Sequence, residues 1–280
     1  MRRHCPCRGA LAVLVVSAAS LIAAPASAQN LLEKVKAKGE VVCGTELQSA
    51  PLEFTEKGEA KGYSVELLQL VSKELGLKFT YVDVPFPSLL PGLEAGKFDM
   101  SCSSVTITKP RLEKYYYSLP VADGTVGLIK MKADTSIKTS ADIAGKVVGA
   151  AKGTSMLRLL QEYVKTLPGG VKEIREYIDY NQGYADMIAG RIVAMANPMP
   201  NILYAAKTRS DTFEVVLPPF GPKAYLGWMV RKNDESKPLI DAVSGVLAKL
   251  NRGGQMRELQ IKWFGGPMDL PADKLPEPLY

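Results

Sequence analysis

The chain has 280 residues, 46% of them hydrophobic, with 35 Lys and Arg against 29 Asp and Glu, a formal charge of +6 and a single histidine. That length fills one large core or two moderate ones. The small basic excess gives no footprint for nucleic acid, and one histidine leaves little scope for imidazole chemistry.

Residues 1–28 read as a cleaved secretory signal. Arg2, Arg3 and Arg8 precede an apolar run from Ala10 to about Ala24, and Ala26-Ser27-Ala28 offers a small-residue cleavage site. The run is too short to favour a permanent span, and no cysteine follows the site to carry a lipid. The mature protein is expected to be exported, soluble and periplasmic. Cleavage removes three of the 35 basic residues and none of the 29 acidic ones, lowering the formal charge from +6 to +3. It also removes His4, which excludes Ser-His-Asp catalysis and histidine-ligated zinc. No ligand spacing supports a metal or an organic cofactor.

The remaining elements alternate strand and helix, the α/β pattern. Val41-Val42-Cys43 reads as a short buried strand. Val65, Leu67, Leu68, Val71 and Leu75 recur at helical spacing until Gly76 stops them. Lys78 to Val82 alternates as a strand, Ser88 to Gly96 returns to helix, and Phe98 to Cys102 to strand. Pro, Gly and small residues around 119–127 lead into a second set, with strands at Val126–Ile129 and Val147–Ala150 and a helix marked by Leu157, Leu160 and Val164. After the punctuated stretch 215–222 come a strand at Leu226–Val230 and an amphipathic helix from about Lys237 to Leu250. Pro271 to Tyr280 reads as a flexible extension. Cys43 and Cys102 each fall at the end of a predicted strand. We read them as two buried free thiols; the alternative is a disulfide, which parallel strands and an oxidising compartment permit.

The run Ser103-Ser104-Val105-Thr106-Ile107-Thr108-Lys109-Pro110-Arg111 carries the functional signal. Hydroxyls at the end of a strand let a small ligand approach the backbone. An arginine beyond them offers the planar fork that matches a carboxylate, with charge-assisted bonds of about 1.5–3 kcal/mol each. The segment, together with Gly44-Thr45, Pro51-Leu52-Glu53-Phe54, Gly62-Tyr63-Ser64-Val65-Glu66-Leu67, Ser88 through Asp99, Gly145 through Gly149, Gly153-Thr154 and Lys262-Trp263-Phe264-Gly265, resembles the family 3 periplasmic solute-binding proteins, the amino-acid receptors of ABC importers. The likeness runs from about Leu31 to Gly265.

The resemblance implies a periplasmic-binding-protein type II fold: two doubly wound α/β lobes joined by a two-crossing hinge. Lobe one would be discontinuous, 29–121 and 226–280; lobe two would be 126–221; the hinge would lie at 121–125 and 222–226. Ligands of doubly wound sheets bind beyond the carboxyl ends of the strands. Loops reaching that place hold Glu46 and Ser49, then Phe86, then Ser103 to Arg111, then Gly153-Thr154-Ser155. Gly153-Thr154-Ser155 opens a predicted helix, where exposed N–H groups and hydroxyls favour a carboxylate. By resemblance, Arg111 and Thr106 would hold a ligand α-carboxylate, Thr154 would meet it from the other lobe, Ser104 would accept from its ammonium, and Phe86 would stack on its side chain. Two positions depart from the family. Pro198 stands where members carry the aspartate that pairs the ammonium, with neutral Asn197 beside it, and Ser49 stands where several carry an aromatic residue. A desolvated ammonium without a counter-charge costs several kcal/mol, three or more orders of affinity. The expected ligand is therefore a small carboxylate without a free α-amine, or one whose cation reaches Glu46. The implied role is capture of an amino acid or related small carboxylate for a membrane ABC permease, by a monomer that needs no catalysis. An exported enzyme of the cyclohexadienyl dehydratase type, with Glu46 as general acid, is the runner-up.

Overall fold

A computed structural model describes Met1 and residues 29–280; the signal segment expected at 1–28 lies outside the described residues apart from Met1. Two sheets organise the chain. In the first, strands run in the order Lys78–Asp83, Glu40–Thr45, Met100–Thr106, Tyr225–Arg231, Tyr115–Tyr117, and Ala122–Asp123 pairs beside Tyr225–Arg231. In the second, the order is Glu173–Tyr177, Val147–Ala151, Ala194–Pro198, Val126–Met131, Phe213–Val216. Each sheet has three parallel strands followed by an antiparallel one. Helices pack on these sheets, and each sheet has its own large apolar cluster, one around Trp228, Leu67 and Val243, the other around Ile129, Val148 and Ile202.

Local chemistry accounts for the elements. The helix Tyr63–Leu75 buries Val65, Leu67, Leu68 and Val71 along one face and ends where Gly76 turns left-handed and donates its N–H to Ser72. The helix Ser155–Lys165 begins at Thr154, whose hydroxyl accepts from Leu157 N–H at 3.2 Å. Gly44 in the strand Glu40–Thr45 is required by contact: a Cβ there would sit 2.3 Å from the ring of Phe98.

The chain passes between the sheets twice, after Asp123 and before Tyr225, and the two crossings are tied together. Gly124 N–H donates to Ala224 O at 2.8 Å, Val121 N–H to Leu226 O at 2.8 Å, and Gly221 N–H to Val126 O at 2.9 Å.

Three sequence expectations change. Cys43 and Cys102 form a disulfide with Cα atoms 5.5 Å apart, not a pair of free thiols; parallel pairing that sets Cys43 opposite Met100 brings the two side chains together. The strand expected at Phe98–Cys102 is Met100–Thr106, so Ser103, Ser104 and Thr106 belong to the strand itself and hold its geometry. The extension 271–280 is docked. Leu275 packs on the cluster around Phe86 and Phe98, Lys109 N–H donates to Tyr280 O at 2.9 Å, and the guanidinium of Arg158 lies 5.4 Å over the Tyr280 ring. Among the described residues no helix is long and apolar enough to cross a membrane.

Candidate ligand cleft

The C-terminal end of the strand Met100–Thr106 faces the second sheet's helices across a narrow cleft. Arg111 sits in the short helix Lys109–Lys114, started by Pro110 after Thr108. Its Nη1 donates to Thr106 O at 3.0 Å, and its guanidinium lies 5.6 Å from the centroid of Phe86, the first residue of the helix Phe86–Glu94. Stacking and one backbone bond fix the plane of the fork.

Ser103 and Ser104 are engaged by acids and their backbone. Glu46 N–H donates to Ser103 Oγ at 2.7 Å. Ser104 donates twice to Glu53, from N–H to Oε1 at 2.9 Å and from Oγ to Oε2 at 3.0 Å, and its Oγ lies 2.6 Å from Ser64 Oγ. Both carboxyls are buried. Burial, reinforced by the charges of Glu53, Asp179 and Asp83, pushes Glu46 up to about 8 against a bond from Phe86 N–H. Burial likewise pushes Glu53 up to about 7, opposed by the Ser104 and Ser64 donors. At neutral pH Glu46 is thus largely a neutral acid, and among the described residues its Oε1 has no hydrogen-bond partner.

The second lobe supplies Thr154, Ser155, Met156, Tyr180, Pro198 and Asn201 to the same cavity. The Thr154 hydroxyl is committed within its lobe, donating to Ala151 O at 2.6 Å while capping Leu157. A carboxylate there would meet the unpaired N–H groups of the first helical turn instead. The lobes touch directly: Thr106 Oγ1 approaches Met156 Sδ at 4.0 Å, and Asn201 Nδ2 donates to Ser49 Oγ at 3.1 Å and Ala50 O at 2.9 Å. Between them remains a cavity of about 20 Å³, about the room one water needs.

Eight of the nine residues expected from sequence line this cavity: Arg111, Thr106, Ser104, Thr154, Ser155, Phe86, Glu46 and Ser49. Asn197 does not. It is buried behind the cavity with Nδ2 3.4 Å from Tyr184 OH, because the strand's alternation at Pro198 turns its neighbour away. Ser103, at the start of the expected loop, also lines it, whereas Glu53, Met156, Tyr180 and Asn201 were not expected. Glu53 had a readable signal, a carboxylate within the apolar run Pro51-Leu52-Glu53-Phe54; Asn201 had only its nearness to Pro198.

The profile of the bacterial extracellular solute-binding proteins, family 3, matches residues 41–266. The chain is 31% identical over 263 residues to the L-cystine-binding protein TcyJ of Escherichia coli (strain K12), covering 92% of this chain and 96% of that protein. Among solved structures, the ancestral amino acid-binding protein AncCDT-1, a precursor of cyclohexadienyl dehydratase, aligns with a TM-score of 0.75 at 27% identity over 83% of this chain and 99% of that one. The substrate-binding protein of an amino acid ABC transporter aligns with a TM-score of 0.70 at 25% identity over 81% and 99%.

Proposed function

We propose that this chain, which belongs to the bacterial extracellular solute-binding proteins of family 3, captures an α-amino acid between its lobes and delivers it to an ABC permease. The observation that carries the ligand class is the pairing of Arg111 with Glu46 around one cavity. The guanidinium takes the carboxylate, together with the N–H groups at Thr154 and Ser155. Glu46 supplies the counter-charge that Pro198 cannot. An ammonium beside Glu46 favours its ionised form, so capture at neutral pH releases a proton from the acid. Phe86 and Tyr180 flank the remainder of the ligand.

Closure follows from contact with both lobes, since only differential contact shifts a conformational equilibrium. The tied crossings at 121–125 and 222–226 serve as the hinge, lobe one being 29–121 with 226–280 and lobe two 126–221. The chain works as an exported monomer in the periplasm after loss of residues 1–28. The relative and the two structures named above are described as binding proteins, which favours capture over the dehydratase reading. Isothermal titration of the exported protein with L-cystine, L-arginine and L-glutamine, and with amine-free carboxylates of the same size, tests the proposal. Binding by at least one α-amino acid, with proton release seen in buffers of different ionisation enthalpy, is expected. Binding confined to amine-free carboxylates would overturn the role of Glu46, and no binding by any of them would overturn the ligand class.

A further inference from the structure

A second cavity, of about 70 Å³, adjoins the first and shares Ser49, Tyr180 and Asn201 with it. Beyond that shared wall it is lined by Asn197, Tyr184 and Arg209. The Arg209 guanidinium lies 4.9 Å from the centroid of Tyr184 and 4.5 Å from that of Phe213, and among the described residues it makes no salt bridge. Two rings thus hold a cationic fork at the mouth of a cavity, and among the described residues no carboxylate lies within 4 Å of it. Deeper in, Asn197 and Asn201 are each 2% exposed, and among the described residues the buried Oδ1 of each has no donor. Buried acceptors of this kind are normally satisfied.

Two acceptors without donors and a guanidinium without an anion complement one kind of group. An ammonium supplies donors to the amide oxygens, and a carboxylate pairs with the fork. Resting on the reading of Arg111 and Glu46 as the first amino-acid site, we infer that the Asn197–Asn201–Arg209 cavity receives the second amino-acid head of an elongated, two-headed ligand, one whose α-amino-acid ends are joined through sulfur or a short carbon chain. Such a ligand would displace the Asn201 bonds to Ser49 Oγ and Ala50 O, which form the partition between the cavities. Asn201 would then turn from a lobe-to-lobe contact into a ligand contact, so the longer ligand replaces the bonds it breaks. A single cationic side chain fits poorly, because it would bring like charge to Arg209.

The probes are L-cystine, with two heads, and S-methyl-L-cysteine, which keeps one head and the sulfur. Titration of the exported protein is expected to give L-cystine roughly tenfold or greater preference, the loss expected for one charge-assisted pair. Arg209→Ala and Asn197→Ala should each weaken L-cystine by about that factor and leave S-methyl-L-cysteine unchanged. Arg209 is exposed, so its variant should fold, and an unchanged melting temperature checks this. Equal affinity for the two probes, or Arg209→Ala acting on both alike, would overturn the inference while leaving the first site standing. Failure of both probes and of every other amino acid would overturn the first site, and the second with it.

Discussion

The two walls of the cleft differ in kind. The lobe-one wall carries every acidic or basic side chain of the first cavity, Arg111, Glu46 and Glu53, with the hydroxyls of Ser103, Ser104 and Thr106. The lobe-two wall offers Thr154, Ser155, Met156, Tyr180, Pro198 and Asn201, none charged. Charge-assisted bonds are about twice as strong as neutral ones, so on the proposed reading lobe one recognises the first amino-acid head and lobe two covers it with backbone donors, an amide and apolar side chains. Lobe one is also the braced half. Its disulfide joins Cys43 to Cys102 across a separation of 59 residues, in the two strands that present Glu46 and Ser104. The division suits a receptor that must hold a site rigid on one side and close over it from the other.

The largest test of this asymmetry is to exchange losses between walls. Arg111→Ala should weaken amino-acid binding by about 2–5 kcal/mol, the range for truncating one member of a buried charge pair. Thr154→Val, whose lost hydroxyl bonds lie within its own lobe, should cost about 1 kcal/mol or less of affinity. Calorimetric titration of both variants decides the matter, and comparable losses would mean that the walls share recognition. The bracing is tested by Cys43→Ser with Cys102→Ser. Removing a native bridge typically costs about 2–5 kcal/mol. Hydrogen exchange should show that cost in the first sheet, around Glu40–Thr45 and Met100–Thr106, with Val147–Ala151 of the second sheet unchanged.

The smallest effect is one of pH. Both cleft acids have folded values raised above their ordinary one, to about 7 for Glu53 and about 8 for Glu46. Their contribution to the closed, folded form is therefore complete below the ordinary carboxyl range and declines as pH rises through those values. Glu46 owes its shift to burial at the lobe interface, so its ionisation is relieved more cheaply by opening the cleft than by unfolding. Small-angle scattering should register expansion between about pH 7 and 9, accompanied by a modest fall in melting temperature. Glu46→Gln should flatten the upper part of that profile; an unchanged profile would place the effect at Glu53 or elsewhere.

Much of the fold was legible because it is written locally. The period of Val65, Leu67, Leu68 and Val71, the stop at Gly76, and the alternation of Lys78 to Val82 each follow from which side chains one face of one element must bury. The hydroxyl run ending in Arg111 is likewise contiguous, and its chemistry survives in the structure even though its serines belong to the strand. Sequence pattern alone thus carried the α/β class, the order of the main elements and eight residues, from both lobes, that the structure brings to one cavity.

The tertiary structure decided what depends on two distant segments meeting. Sheet register joined Cys43 to Cys102. Approach of the loop at 51–54 to the strand Met100–Thr106 gave Glu53 to Ser104. A one-residue alternation at Pro198 sent Asn197 into the second cavity instead of the first. Burial between segments distant in the chain raised Glu46 above the usual carboxyl range. Period and propensity describe how a segment faces its own core; solvation and pairing depend on what arrives from elsewhere in the chain, and no local pattern encodes that arrival.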